Sequence, residues 1–215
     1  LTTLGDYAFS YCFSLESISL PDSLKNVGKY AVAYNTSMTS AYLPAISYSA
    51  DYTAQYVFSQ NTALTTLEFS NDLTWLPADM VYGSSALEEV TLPAALGTGE
   101  ETYKSDGPFD QPFNSSGLKR VNINGVKVIP DNLFYATSAS SSTLEEIDLS
   151  GVTEIGENAF RNCATLKSVD LSSAIRIGYQ AFKGCALIEE ANLSSVTDWS
   201  DPTDADTLPI DDSAF

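Results

Sequence analysis

One stretch of this chain copies itself, and that constrains the fold more than anything else in the sequence. Ile155-Gly156, Ala159-Phe160, Cys163, Leu166, Val169 and Leu171 return 22 positions later as Ile177-Gly178, Ala181-Phe182, Cys185, Ile188, Ala191 and Leu193. A period between about 20 and 30 residues belongs to solenoids, in which each coil contacts only its neighbours. The Phe of this unit can be followed through the chain as Phe9, Val32, Phe58, Val81, Phe113, Phe134, Phe160, Phe182 and Phe215. The gaps are 23, 26, 23, 32, 21, 26, 22 and 33 residues, a base period carrying insertions. Surface loops of a solenoid tolerate such insertions.

Behind each anchor lies a Leu-x-x-Ile-x-Leu segment. These segments are Leu15/Ile18/Leu20, Met38/Ala41/Leu43, Leu64/Leu67/Phe69, Leu87/Val90/Leu92, Leu118/Val121/Ile123, Leu144/Ile147/Leu149, Leu166/Val169/Leu171 and Ile188/Ala191/Leu193. Apolar residues alternating at i and i+2 read as a short half-buried strand. Pro21, Pro44 and Pro93 follow three of the segments and mark strand ends, because proline cannot donate to a ladder. No such strand is stable alone, so eight of them are expected to stack in parallel. The other half of the unit, around Glu157–Asn162, reads as a short helical turn on the opposite side.

The repeated motif Leu-x-x-Ile-x-Leu-Pro-x-x-Leu-x-x-Ile-Gly-x-x-Ala-Phe-x-x-Cys resembles the BspA-like bacterial leucine-rich repeats. The match is strongest at 4–21 and 151–193 and most degenerate at 45–125. The resemblance implies a right-handed curved solenoid of the α/β leucine-rich repeat class. A parallel sheet of about eight short strands would line its concave face, with short helical turns and loops on the convex face. It implies one domain over 1–215, of about nine repeats with the first and last incomplete. It also implies a secreted or cell-surface location, and some members are linked to adhesion to host extracellular matrix. The family supplies no catalytic residues.

Composition narrows the functions. The net charge is −18, with 10 Lys+Arg against 28 Asp+Glu. Such a chain has no basic patch for nucleic acid or anionic lipid. Histidine is absent, which removes the commonest general base and metal ligand. No paired-carboxylate pocket or Gly-rich phosphate loop is visible, so an enzyme is not expected, and no cofactor or metal set follows. No apolar run approaches the ~18 residues of a membrane-spanning helix. The chain starts inside a repeat and stops inside one, without polar capping turns. Its ends are therefore expected to continue in a longer chain or to pair, for instance as a dimer.

Binding, if any, is expected on the sheet face, where outward positions form columns across the strands. The candidate residues are Ser17, Ser40, Thr66, Glu89 and Arg120 in one column, and Ser19, Tyr42, Glu68, Thr91, Asn122, Asp148 and Asp170 in another. A third column, Glu88, Lys119, Glu145, Lys167 and Glu189, alternates in sign and is expected to satisfy itself. Asp148 and Asp170 fall side by side. Lys167, Arg120 or a bound cation would relieve them, and the latter idea extends to Asp201, Asp204 and Asp206. Cys12, Cys163 and Cys185 share one slot with Asn35, Asn61, Ser84, Ser116 and Thr137. That slot reads as a structural hydrogen-bonding ladder, with a Cys163–Cys185 disulfide as the alternative. Tyr7, Tyr30 and Tyr56 should stack as one column, and Tyr11 and Tyr34 as a second. They serve either packing between turns or an aromatic binding patch. Trp75 and Trp199 occupy the Ile slot, for core packing or sugar stacking. The expected function is a binding or adhesion module for an extracellular protein or glycan; the alternative is a passive spacer.

Overall fold

The computed structural model describes residues 1–47, 54–99 and 111–197. Phe215, Trp199, Asp201, Asp204, Asp206 and most of the insertion at 95–112 lie outside them. Among the described residues eleven short strands form: β1 (Thr3–Leu4), β2 (Ser17–Ser19), β3 (Asn26–Val27), β4 (Ser40–Leu43), β5 (Thr66–Phe69), β6 (Glu89–Thr91), β7 (Arg120–Asn122), β8 (Val128–Ile129), β9 (Glu146–Ile147), β10 (Glu154–Ile155) and β11 (Arg176–Ile177). Every pairing is parallel. Parallel neighbours need a long return path between them, which each coil of the solenoid supplies.

The strands fall into two rows. The first is the sheet face, built as β2-β4-β5 and β6-β7-β9. Its register pairs Ile18 with Ala41 and Leu67, and Val90 with Val121 and Ile147. All but the half-buried Ile18 are buried, and the residues on either side of them point outward, as the period-2 pattern requires. The second row is β1-β3 and β8-β10-β11; β1, β3, β10 and β11 are the two residues before Gly5, Gly28, Gly156 and Gly178, and β8 the two before Pro130, while a Gln55–Ala78 bridge lies between its two parts. At Gly156 an added Cβ would meet the Asp131 backbone nitrogen at 2.5 Å. Only glycine lets the coils approach that closely there.

Six strands form on the sheet face where eight are expected. Residues 166–171 continue the row with Leu166 and Leu171 buried, and the Lys167 N–H still reaches the Glu145 carbonyl at 3.3 Å. Among the described residues no further strand of this row forms beyond it. Asp148 and Asp170 each turn a carboxylate back to accept the backbone N–H two residues on, from Ser150 at 2.8 Å and Ser172 at 2.9 Å.

The opposite side carries tight turns rather than helical ones. Among the described residues the only helical piece is a 3-10 turn at Ala139–Ser141, inside the Ser-rich insertion. Pairs of left-handed residues four apart explain this. Tyr7 and Tyr11, Tyr30 and Tyr34, Tyr56 and Gln60, and Asn158 and Asn162 all have positive φ. A left-handed residue interrupts a right-handed helix. Alternate N–H groups point instead along the solenoid axis. Asn158, Phe160 and Asn162 donate to the carbonyls of Tyr179, Ala181 and Lys183 in the next coil, at 2.9, 2.8 and 2.7 Å.

Between the faces runs one apolar cluster from Leu4 to Phe182. Its spine is the anchor column. Phe113, Phe134, Phe160 and Phe182 stack with centroids 5.5, 5.2 and 5.1 Å apart. Each such pair adds about 0.5–1.5 kcal/mol beyond the area it buries. Trp75 is in the core, 4% exposed, and its indole N–H donates to the Ile46 carbonyl at 3.1 Å.

Candidate functional site

The register brings the sequence columns together. Ser17, Ser40 and Thr66 stand side by side, as do Ser19, Tyr42 and Glu68. Glu89 faces Arg120, and Thr91 faces Asn122. Tyr42 is half-buried and leans across the strand end, its hydroxyl donating to Asp22 at 3.0 Å. Burial, then the Asp22 bond, holds that phenol above its usual pKa.

Within the first row the ladder is interrupted between its two sheets. β5 and β6 lie next to each other but share no ladder hydrogen bonds. On the turn side the same two coils are tightly joined. The N–H groups of Tyr56, Phe58 and Gln60 donate to Ala78, Met80 and Tyr82 at 2.9, 2.8 and 2.7 Å. The coils therefore meet as a wedge that opens at the sheet face. The opening is a groove of about 460 Å³, with Thr66, Glu68 and Asn71 on one side and Glu89 and Thr91 on the other. Four of the candidate residues thus line one concavity. Asn71 was missed in sequence, because it lies past the strand in a turn of no fixed pattern. Its side-chain oxygen accepts from Asn124 at 3.2 Å.

The second half of the face is tied up with itself. Lys119 bonds Glu88 and Lys167 bonds Glu145, each at 2.6 Å, and Arg120 reaches Glu89 at 3.3 Å. The Lys119 hydrogen bond and charge hold Glu88 below its ordinary pKa, and Lys167 does the same for Glu145. All these groups are exposed and screened, so they contribute little stability.

Asp148 and Asp170 are each held below the usual carboxylate range by hydrogen bonds from the serine two residues on, Ser150 and Ser172. That bonding accounts for two like charges in one column without Lys167 or Arg120. Among the described residues no group of three or more His, Cys, Asp or Glu side chains is placed to hold a metal ion.

The shared cysteine slot is a hydrogen-bonding ladder beside the spine. Cys163 and Cys185 carry free thiols that donate to the Phe134 and Phe160 carbonyls at 3.2 and 3.1 Å. Asn35 and Ser84 bond the Phe9 and Phe58 carbonyls from the same slot, at 2.9 Å each. Asn61 bonds both Val32 and Phe58 at 3.0 Å and accepts the Asn35 N–H at 2.7 Å. Burial pushes the Cys185 thiol up to about 12 and raises the Cys163 thiol well above its ordinary range. These are structural sulfurs, poorly disposed to nucleophilic or redox chemistry.

On the turn face the tyrosines stack as two columns. Tyr7, Tyr30 and Tyr56 have centroids 5.2 and 4.8 Å apart, and Tyr11 and Tyr34 are 4.6 Å apart. Tyr7 and Tyr11 are about half exposed, at 52% and 53%.

Parallel strands on one face, tight turns on the other and a single apolar spine define a leucine-rich repeat solenoid. The chain belongs to the BspA type leucine rich repeat family, whose model matches residues 1–105 and 110–202 in six copies. Members of this fold class are typically non-catalytic. No curated protein is significantly similar to the chain. Among solved structures, a leucine rich repeat protein of T. pallidum is 18% identical, with a TM-score of 0.49 over 88% of this chain and 72% of that one. A leucine-rich repeat protein from Bacteroides ovatus is 18% identical, with a TM-score of 0.43 over 92% and 66%. A leucine rich cell surface protein from Faecalibacterium prausnitzii is 14% identical, with a TM-score of 0.30 over 94% and 84%.

Proposed function

We propose that the chain is a non-enzymatic recognition module, displayed on a cell surface or secreted, that binds a protein partner through its sheet face. The observation that carries this reading is the groove between β5 and β6. There the sheet face offers a concavity instead of a continuous ladder, bordered by outward polar side chains from both strands. Its rim holds Glu68 and Glu89, and the chain carries a net charge of −18. The complementary partner surface is basic and rich in hydrogen-bond donors. Family membership supports surface display. No helix among the described residues is long and apolar enough to cross a membrane.

The test is an array of extracellular proteins probed with this chain, followed by Thr66→Trp and Thr91→Trp. Each indole fills the groove, and binding should fall at least about tenfold if the centre of the contact is there. Lys167→Ala, on the self-paired half, should leave affinity unchanged. Retention of every detected interaction in both Trp variants would refute a sheet-face site. A second reading, a passive spacer, draws on the ion-paired columns after β6, which satisfy themselves. It predicts that the array shows no partner at all.

A further inference from the structure

The tyrosine columns on the turn face end in the middle of the solenoid. The first runs Tyr7, Tyr30, Tyr56 and then continues with Asp79 and Gln111; the second runs Tyr11, Tyr34, then Gln60 and Gly83. Where the stack stops, a groove of about 480 Å³ opens. Its volume lies in the ~300–1,000 Å³ range of small-ligand sites.

Tyrosine rings and polar side chains shape it. Tyr34 and Tyr56 present the end of the stack, and Tyr82 stands edge-on to Tyr56 at 6.2 Å and 79°. Opposite this aromatic corner, Asp79 and Asn114 are bonded at 3.3 Å. Asn114 is only 6% exposed, and its side-chain oxygen accepts from Thr137 and Ser115, each at 3.3 Å. That wall is braced from behind. Gln60 closes the third side. Its amide lies over Gly83, where a Cβ would meet the Gln60 Nε2 at 2.4 Å, and Gly83 has a φ of +74°. The absence of a side chain at Gly83 seats the amide. Ser59 also lines the groove; it is 1% exposed, and its hydroxyl has no hydrogen-bond partner. A buried polar atom in that state favours a ligand or water that can bond it.

The chemistry selects among ligands. Tyrosine rings at right angles offer an apolar surface, and a carboxylate with two amides offers acceptors and donors in fixed places. A pyranose has the matching halves, a C–H face and a rim of hydroxyls. An anionic ligand would meet Asp79 and a chain of net charge −18. A cationic ligand would find the stack already served, because the Lys29 ammonium lies 5.7 Å from the centroids of both Tyr30 and Tyr56. The groove is too small for a folded partner.

We propose that this groove is a second binding site, for one or two neutral pyranose units of a glycan, with Tyr56 and Tyr82 as the stacking platform and Gln60, Asp79 and Asn114 as the hydroxyl-reading wall. It is separate from the sheet-face groove and does not rest on it.

The experiment uses the whole chain with cellotetraose, chitotetraose and maltotetraose as neutral probes, and choline and an oligogalacturonate as charged ones. Saturation-transfer NMR detects binding and titration calorimetry measures it. At least one neutral tetraose should bind saturably. Tyr82→Ala and Gln60→Asn should each weaken it by about tenfold. Asparagine tolerates the left-handed backbone that Gln60 adopts, so Gln60→Asn should melt like the wild type and report on the site alone. Thr66→Trp, in the other groove, should leave sugar binding intact. The proposal is overturned if no neutral tetraose binds at millimolar concentration, if both groove variants bind as the wild type does, or if choline or the oligogalacturonate is preferred.

Discussion

At the residue scale, one slot beside the Phe column does the same task with three kinds of side chain. Asn61 is the most committed, since it bonds two carbonyls and one N–H from two coils while fully buried. Asn61→Ala leaves the Asn35 N–H without its partner, while the Val32 and Phe58 carbonyls keep Asn35 and Ser84, and should lower stability by about 2 kcal/mol, read from urea melts. A loss under about 1 kcal/mol would mean the ladder is decorative. The equivalence of Asn, Ser and Cys was legible in the sequence, because their offset from the anchor is constant. The bond each makes was not, because its acceptor lies a whole coil away. Native thiol titration should find Cys12, which is exposed, reacting fast, with Cys163 and Cys185 reacting only on unfolding. Asp131 is 8% exposed and accepts the Glu157 N–H at 2.7 Å. Burial raises its pKa, and the Glu157 bond and Arg176 offset only part of that. Its folded carboxyl therefore holds a proton more tightly than the unfolded one, and stability falls as pH rises through that window. Asp131→Asn keeps the acceptor and removes the charge. It should melt above the wild type near pH 7 and converge with it below about pH 3.

At the element scale, the strand register was readable because alternation and the anchor spacing together leave one pairing that buries every Ile-type position. Within β2-β4-β5 and β6-β7-β9 the columns derived that way match the register of the sheet. The second row of strands was not readable. Each of its strands is two residues long, too short for a period to show, although the polar-apolar pair before each glycine does recur. The turn backbone was hidden for a different reason. Positive φ at Tyr7, Tyr30 and Tyr56 runs against tyrosine's own preference, and stacking with neighbouring coils holds it in place. The buried anchor column was foreseeable from Val32 to Phe182, but Phe9, expected in the core, is 41% exposed in the first described coil, which has no preceding coil to cover it. Phe160 is fully buried between Phe134 and Phe182. Phe160→Ala should cost about 3–5 kcal/mol in chemical denaturation, and Phe160→Leu clearly less.

At the scale of the whole molecule, two long surfaces flank one apolar spine, and each carries a concavity where the regular stacking lapses. On the sheet face the lapse is a missing ladder between β5 and β6; on the turn face it is the end of the tyrosine columns. Repeats make the scaffold legible, and departures from the repeat make the sites, so sequence periodicity located the columns but not the grooves. The net charge of −18 adds a global term. Self-repulsion should dominate the few exposed ion pairs, so raising NaCl from about 20 mM to about 500 mM should raise the melting temperature. A fall would mean the paired columns matter more than the net charge. The sheet-face groove as the recognition centre is tested most directly by hydrogen exchange, comparing the free chain with the chain saturated by the partner that an array identifies. The account predicts new protection at the amides of residues 66–69 and 89–91. Protection confined to other coils, with those two strands exchanging as in the free chain, would contradict it.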